Sequence, residues 1–246
     1  MRIPPAAPPP PIVATQTFGE FSVEYLVSIV LVTLQVSLTA VALATVAGIA
    51  LAVFVAFTDF PGRRLVEAVI NTGMSFPSVV VGLAVLILLS NTGPLGEFDL
   101  LFTPRAMVLS QFVLALPVVA SVSLSAIESV DDGLADAAFA AGGTERDVRL
   151  AVVREARYGI TTAILAGFGR AISEVGSVLI VGGNIALNTP AGEQVSFTRT
   201  LTTAVTLEAR RGNVETGIAL GVVLLALALG VNALGNAVRD RGGGRA

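Results

Sequence analysis

From Tyr25 to Phe57 the chain carries no charged residue. A stretch of about 18 or more apolar residues without charge reads as a membrane-spanning helix. As one α-helix the run would be roughly 50 Å long at about 1.5 Å per residue. A bilayer core is about 30 Å thick, and two crossings need about 40 residues plus a turn. No turn signal interrupts the run, so it predicts one long helix, tilted or projecting beyond the bilayer. Four further candidates follow: Ala68 to Gly96, Ala106 to Ile127, Tyr158 to about Gly182, and Thr216 to Val238. The fourth run is apolar apart from Arg170 and Glu174.

Composition narrows the functional classes. Of the 246 residues, 54% are hydrophobic and 13% are charged, against about 25% charged in ordinary globular chains. That argues against a soluble globular domain, a disordered chain and a nucleic-acid binder. With no Cys and no His, disulfides, thiolate metal sites, a cysteine nucleophile and the usual general base are excluded. All basic residues are Arg, so there is no Lys for an ordinary Walker A site. No catalytic, cofactor-binding or metal-binding residue is assigned. The fold class expected is an all-α membrane protein of about five transmembrane helices.

The expected organisation is a Pro-rich N-terminal tail over 1–22, a transmembrane domain over 23–238 and a C-terminal tail over 239–246. PPAAPPPP, Pro4 to Pro11, reads as a stiff extended segment rather than a signal peptide. Glycines within the helical runs suit close helix packing, and Pro77 and Pro117 are expected to kink theirs. Arginine collects on the cytoplasmic side of membrane proteins. Arg63, Arg64, Arg146, Arg149, Arg154, Arg157, Arg239, Arg241 and Arg245 fall on one side, outnumbering Arg2, Arg105, Arg199, Arg210 and Arg211 on the other. This places the N-terminus outside, the C-terminus inside and the 128–157 connection in the cytoplasm.

That connection reads as two short helices. Asp131 and Asp132 suit a helix N-terminus. Leu134 to Ala141 follows, and Gly142 and Gly143 end it. Thr144 then looks like an N-cap, with Asp147 at the capping-box position. The pair is either a knob presented to a partner or amphipathic helices on the membrane surface.

Asp136-Ala137-Ala138, followed three residues later by Gly142, resembles the EAA loop of ABC importer membrane subunits. Asp136 stands where that family commonly has Glu, and Arg154-Glu155 stands where many members have Leu-Pro. The narrower resemblance is to tungstate-type permeases. It is carried by Arg154 to Gly159, by Gly167-Phe168-Gly169-Arg170-Ala171-Ile172-Ser173-Glu174-Val175-Gly176, and by Val181 to Ile185. Thr198 to Ala204, Gly93 to Gly96 and Leu101 to Pro104 fit too, so the similarity runs from about residue 20 to about 238. The resemblance implies a type I ABC importer permease fold, with Asp136, Ala137, Ala138, Gly142 and Gly143 in a coupling helix that docks on an ATPase. It implies a homodimer in the plasma membrane, with two ATPase subunits that carry the ATP and magnesium, and an extracytoplasmic oxyanion-binding protein. The acid of the loop is expected to steady the local helix junction.

Arg170 and Glu174, four apart, share a helical face. They are read either as an ion pair that fixes packing or a gate, or as a pathway site where Arg170 meets a dianion. Thr198, Arg199 and Thr200, with Thr202, Thr203 and Thr206, are read as an external docking surface or part of an external gate, ahead of a binding site. The function expected is that of a permease subunit importing tungstate, with molybdate or sulfate as alternatives. An ATP-independent secondary transporter and a membrane scaffold are the competing classes.

Overall fold

The structure is a computed structural model that describes residues 17–18, 21–190 and 192–243. Most of the expected Pro-rich tail lies outside the described residues. Two short strands, β1 (Thr17–Phe18) and β2 (Phe21–Ser22), pair and lead into α1 (Val23–Phe57). The Ser22 hydroxyl accepts the Tyr25 N–H at 3.2 Å and caps this helix.

α1 is a single helix of 35 residues, as the uninterrupted run predicts. It buries one stripe, Tyr25, Ile29, Thr33, Val36, Ala40, Ala44, Gly48 and Ala52, against the rest of the bundle. Its opposite face exposes Leu31, Leu38, Val46 and Phe54. A helix apolar on both faces suits a lipid surround.

α4 (Pro104–Glu128) is the central helix. Its apolar core is 61% buried, against 33% for α1 and 11% for α10 (Val214–Gly243). Glycines let the backbones close on it. A Cβ at Gly48 of α1 would lie 3.0 Å from one Val119 methyl, and a Cβ at Gly167 would lie 2.6 Å from the other. Val119 is therefore held between two glycines on opposite sides. Pro117 stays within α4, which continues unbroken.

Among the described residues, three helices are long and apolar enough to cross a membrane alone. The other two expected spans are each broken. Ala68–Gly96 divides into α2 (Arg63–Gly73) and α3 (Ser78–Leu89), whose axes differ by 106°. Proline has no N–H and disfavours helical backbone in the residue before it, so Pro77 begins a new helix instead of kinking an old one. Tyr158–Gly182 divides into α7 (Arg157–Ile172) and α8 (Gly176–Gly182), bent by 58°. α10 runs on to Gly243, past the expected end of the last span.

α2 lies along α4, with Asn71 accepting the Ser121 hydroxyl proton at 2.7 Å and Gly73 seated on the Pro117 ring. The outer halves α3 and α8 lie side by side. Val81, Val85 and Leu89 share a core with Val178 and Val181, closed by Met107 and Leu114 of α4. At this end a hairpin, β3 (Ala186–Asn188) with β4 (Gln194–Ser196), precedes α9 (Leu201–Arg211). At the opposite end α5 (Asp132–Ala140) and α6 (Glu145–Glu155) project between α4 and α7.

Candidate functional site

The α5–α6 pair is built by local chemistry. Asp131 caps α5 by accepting the Gly133 N–H at 2.7 Å. Gly142 turns the chain at φ +85°, in the left-handed region that favours glycine. The Thr144 N–H and hydroxyl both donate to Asp147 Oδ2, at 2.8 and 2.6 Å, and close a capping box at the start of α6. These hydrogen bonds hold the Asp147 carboxyl below the usual carboxylate range, the Thr144 hydroxyl contributing most.

α6 buries Val148, Val152 and Ala156 against Ala52, Val55, Leu124 and Ile127, so the pair is seated on α1 and α4. α5 buries no residue fully. Asp136 and Ala137 are exposed, Ala138 is half-buried, and Phe139 is 52% exposed. Phe139, Phe57, Val130, Val148 and Arg149 line a cleft of about 520 Å³. Asp136 does not steady the junction: it has no hydrogen bond or ion pair among the described residues, and Asp131 and Asp147 do that work. Arg63 braces the base of the knob, bonding Glu67 of α2 at 2.7 Å and Glu128 of α4 at 2.9 Å.

The second constellation sits where the broken helices meet. Arg170 lies in the last turn of α7, and Glu174 lies in the break beyond it, not within a continuous helix. Arg170 donates to Glu174 Oε2 at 2.9 Å. Glu174 Oε1 accepts the Ser177 N–H at 2.9 Å and so caps α8. The Glu174 backbone carbonyl accepts the Thr202 hydroxyl at 2.9 Å. A second Arg170 nitrogen reaches the Phe76 carbonyl, in the other break, at 3.5 Å. The two side chains differ in exposure, 28% for Arg170 and 2% for Glu174. The guanidinium is therefore the accessible partner of the pair and the carboxylate the buried one.

The threonine segment is not a docking surface. Thr198, Thr200, Thr202 and Thr203 are all buried. Thr198 donates to the Gly182 carbonyl and accepts the Ile185 N–H, at 2.6 and 2.8 Å. Thr200 and Thr203 form the capping box of α9. The Leu201 N–H donates to Thr33 of α1 at 2.9 Å. These bonds draw the start of α9 back into the bundle, to the depth of Thr33 and Glu174. Arg199 is half-buried, bonded to both oxygens of Asn184 and to the Tyr25 hydroxyl. It pins the α8 end to α1.

Gln111 and Glu208 are among the buried polar residues that the sequence does not single out. Gln111 of α4 donates to the Ala171 carbonyl at 3.0 Å, in the last turn of α7, where that carbonyl also accepts the Glu174 N–H at 3.2 Å. Glu208, 1% exposed, binds Arg211 at 3.0 Å and Asn213 at 2.9 Å across the α9–α10 corner. Neither lies in a recognisable local motif. Gln111 stands alone amid apolar residues, and the signal for Glu208 is its spacing of three from Arg211.

Comparison with known proteins adds the following. Residues 44–241 match the family described as binding-protein-dependent transport system inner membrane component. A Haloferax volcanii protein described as a probable anion ABC transporter permease protein is 64% identical over 92% of this chain and 96% of its own length. The tungstate uptake system permease protein TupB of Campylobacter jejuni is 37% identical, over 72% of this chain and 70% of its own length. Its namesake from Peptoclostridium acidaminophilum is 35% identical, over 84% and 87%. Among solved structures, an inward-facing form of the MetNI methionine ABC transporter superposes with a TM-score of 0.70 at 19% identity, covering 88% of this chain and 95% of that one.

Proposed function

Because the chain belongs to the family of binding-protein-dependent transport system inner membrane components, we propose that it is the permease subunit of an ATP-driven importer for a tetrahedral oxyanion. Tungstate is the substrate this reading favours, and the TupB proteins support it. The observation that carries the reading is the α5–α6 knob. It is a rigid, doubly capped pair that leaves Asp136, Ala137 and Phe139 exposed at one end of an otherwise apolar bundle.

The knob faces the cytoplasm in this reading, because Arg63, Arg64, Arg146, Arg149, Arg154 and Arg157 lie at its end of the bundle. α1 then starts outside. The knob seats in an ATPase subunit, which carries the ATP and magnesium. Two copies of the chain pair with two ATPases, and an extracytoplasmic binding protein delivers the anion to the opposite end. ATPase closure, received at α5, is passed to the bundle through α6, whose buried face packs on α1 and α4. The site for ATP and the path for the anion are thus coupled at a distance.

Within the bundle, Arg170 lines the path. A guanidinium offers five donors in a planar fork, and Glu174 occupies one side of it. The donors left open suit oxyanion oxygens, whereas the buried carboxylate only orients the cation. In this reading Glu174→Gln leaves the chain folded and changes anion selectivity; unchanged selectivity would remove Arg170 from the path.

The broken helices are also a feature of secondary transporters that work without ATP. Uptake measurements separate the two. Cells lacking the gene, and cells carrying it back, are compared for initial tungstate uptake at low concentration, with molybdate and sulfate as competitors. Restored uptake that is abolished by ATP depletion and resists excess sulfate is the expected result. The molybdate competition curve ranks the two metal oxyanions. Restored uptake that survives ATP depletion would favour the secondary transporter, and gene-independent uptake would reject tungstate.

A further inference from the structure

We propose that Arg170 and Glu174 fasten the two helix breaks to each other, so that α3 and α8 tilt as one body against α2, α7 and α4.

The outer halves already pack as a unit. A Cβ at Gly82 of α3 would lie 2.7 Å from Ser177 Cα of α8, so the two backbones touch with no side chain between them. A Cβ at Gly176 would lie 3.0 Å from both the Ser78 hydroxyl and a Val79 methyl. The inner halves are tied to α4 by polar bonds, whereas the outer halves meet it through apolar contacts such as Gly182 on Met107. α2 is tied to α4 by Asn71–Ser121 and Arg63–Glu128, and α7 by the Gln111 bond to the Ala171 carbonyl. The helices are interrupted at Met74–Pro77 and again at Ser173–Val175.

Between these bodies stands one guanidinium. One of its nitrogens holds the Glu174 carboxylate, and another points at the Phe76 carbonyl at 3.5 Å, just before Pro77. The second carboxylate oxygen holds the first turn of α8 through the Ser177 N–H. Thr202 ties the same residue's backbone to the start of α9. A bend at one break that left the other in place would pull the guanidinium off one of its partners, of which the Glu174 carboxylate sits in a site closed to water. Charge-assisted bonds are strongest in such a site. The 3.5 Å contact is the longer of the two and the one that yields first.

The service this clasp gives to transport rests on the functional reading above; the clasp itself does not, and it is tested without ATP or substrate. The chain contains no Cys, so introduced cysteines take spin labels without background. Leu65→Cys with Ile87→Cys spans the α2–α3 bend, and Thr162→Cys with Leu187→Cys spans the α7–α8 bend; all four positions are exposed. Labelled chain is diluted with unlabelled chain in lipid nanodiscs, and distance distributions are read by pulsed spin resonance. Arg170→Gln is expected to broaden both distributions. Arg170→Lys keeps a charge for Glu174 but loses the fork, so it is expected to broaden the α2–α3 distribution alone. Should Arg170→Gln fail to fold, the lysine variant carries the test. An α2–α3 distribution unchanged in the folded variant would overturn the proposal, reducing the pair to a brace within one break.

Discussion

Glu174 and Arg170 form one ion pair, yet removing either partner should not cost the same. Arg170→Gln leaves a carboxylate that is 2% exposed with only the Ser177 N–H for company. Stranding a buried charge costs about 3–5 kcal/mol. Glu174→Gln leaves a guanidinium that is 28% exposed and still near the Phe76 carbonyl. The amide oxygen can keep the Ser177 N–H, so the loss is one hydrogen bond to a charged group, about 1.5–3 kcal/mol. The expected order of destabilisation is Arg170→Gln above Glu174→Gln, by about 1.5–2 kcal/mol. The double variant should be more stable than Arg170→Gln alone, because no charge is then stranded. The chain has no Trp, so unfolding in detergent is followed by far-ultraviolet circular dichroism. A Glu174→Gln variant as unstable as Arg170→Gln, or less stable, would refute the division into a buried anion and an accessible cation.

Other consequences are as direct. Thr33→Val removes the acceptor of the buried Leu201 N–H, so it should cost about 1–3 kcal/mol although the shape is kept; the same unfolding assay reads it. Gly48→Val would force methyls into Val119 and should cost about 1–3 kcal/mol by overpacking; a neutral result would mean that α1 and α4 do not cross there. Gly142→Ala meets no neighbour within 4 Å but sits at φ +85°. It should lose about 1–2 kcal/mol locally, seen as faster amide exchange in α5 with little change elsewhere. The Asp147 carboxyl is held below its ordinary value near 3.8. Its contribution to the knob is therefore complete above that value and is lost as pH falls through the lower, folded one. Amide exchange in the first turn of α6, corrected for its intrinsic pH dependence, should rise in that window, and Asp147→Ala should abolish the step.

The knob was legible in the sequence and the breaks were not, for a physical reason. Asp131, Gly142, Thr144 and Asp147 act on backbone groups within three residues of themselves, so their order along the chain states their roles. Hydropathy averages over a window, and a break costs no charge when the freed backbone groups are met from elsewhere. Gln111 meets the end of α7 from sixty residues away, and Thr33 meets the start of α9 from 168. Pro77 was visible as a disturbance, but a bend of 106° depends on what α3 packs against. The threonines misled in the same way. Side by side they read as polar surface, whereas Thr198 and Thr202 are aimed at carbonyls brought by another element and Thr200 and Thr203 cap their own helix. Arg170 and Glu174 were recognised as a pair from their spacing, and only the fold distinguishes which of them is within reach.

Of the three long helices, α10 is the least buried. Only 11% of the apolar core of α10 is buried, while α4, Gly48, Val119 and Gly167 are locked together without it. A chain is made from its N-terminus onward, so the tight crossing of α1, α4 and α7 can close while α10 is still being synthesised. Late arrival costs the bundle little, because α10 adds chiefly Leu220 and the partly buried Leu224, Leu227 and Val231 to surfaces already formed. An order of biogenesis is thus written in the uneven burial of these helices, the firmest contacts falling among those that leave the ribosome first.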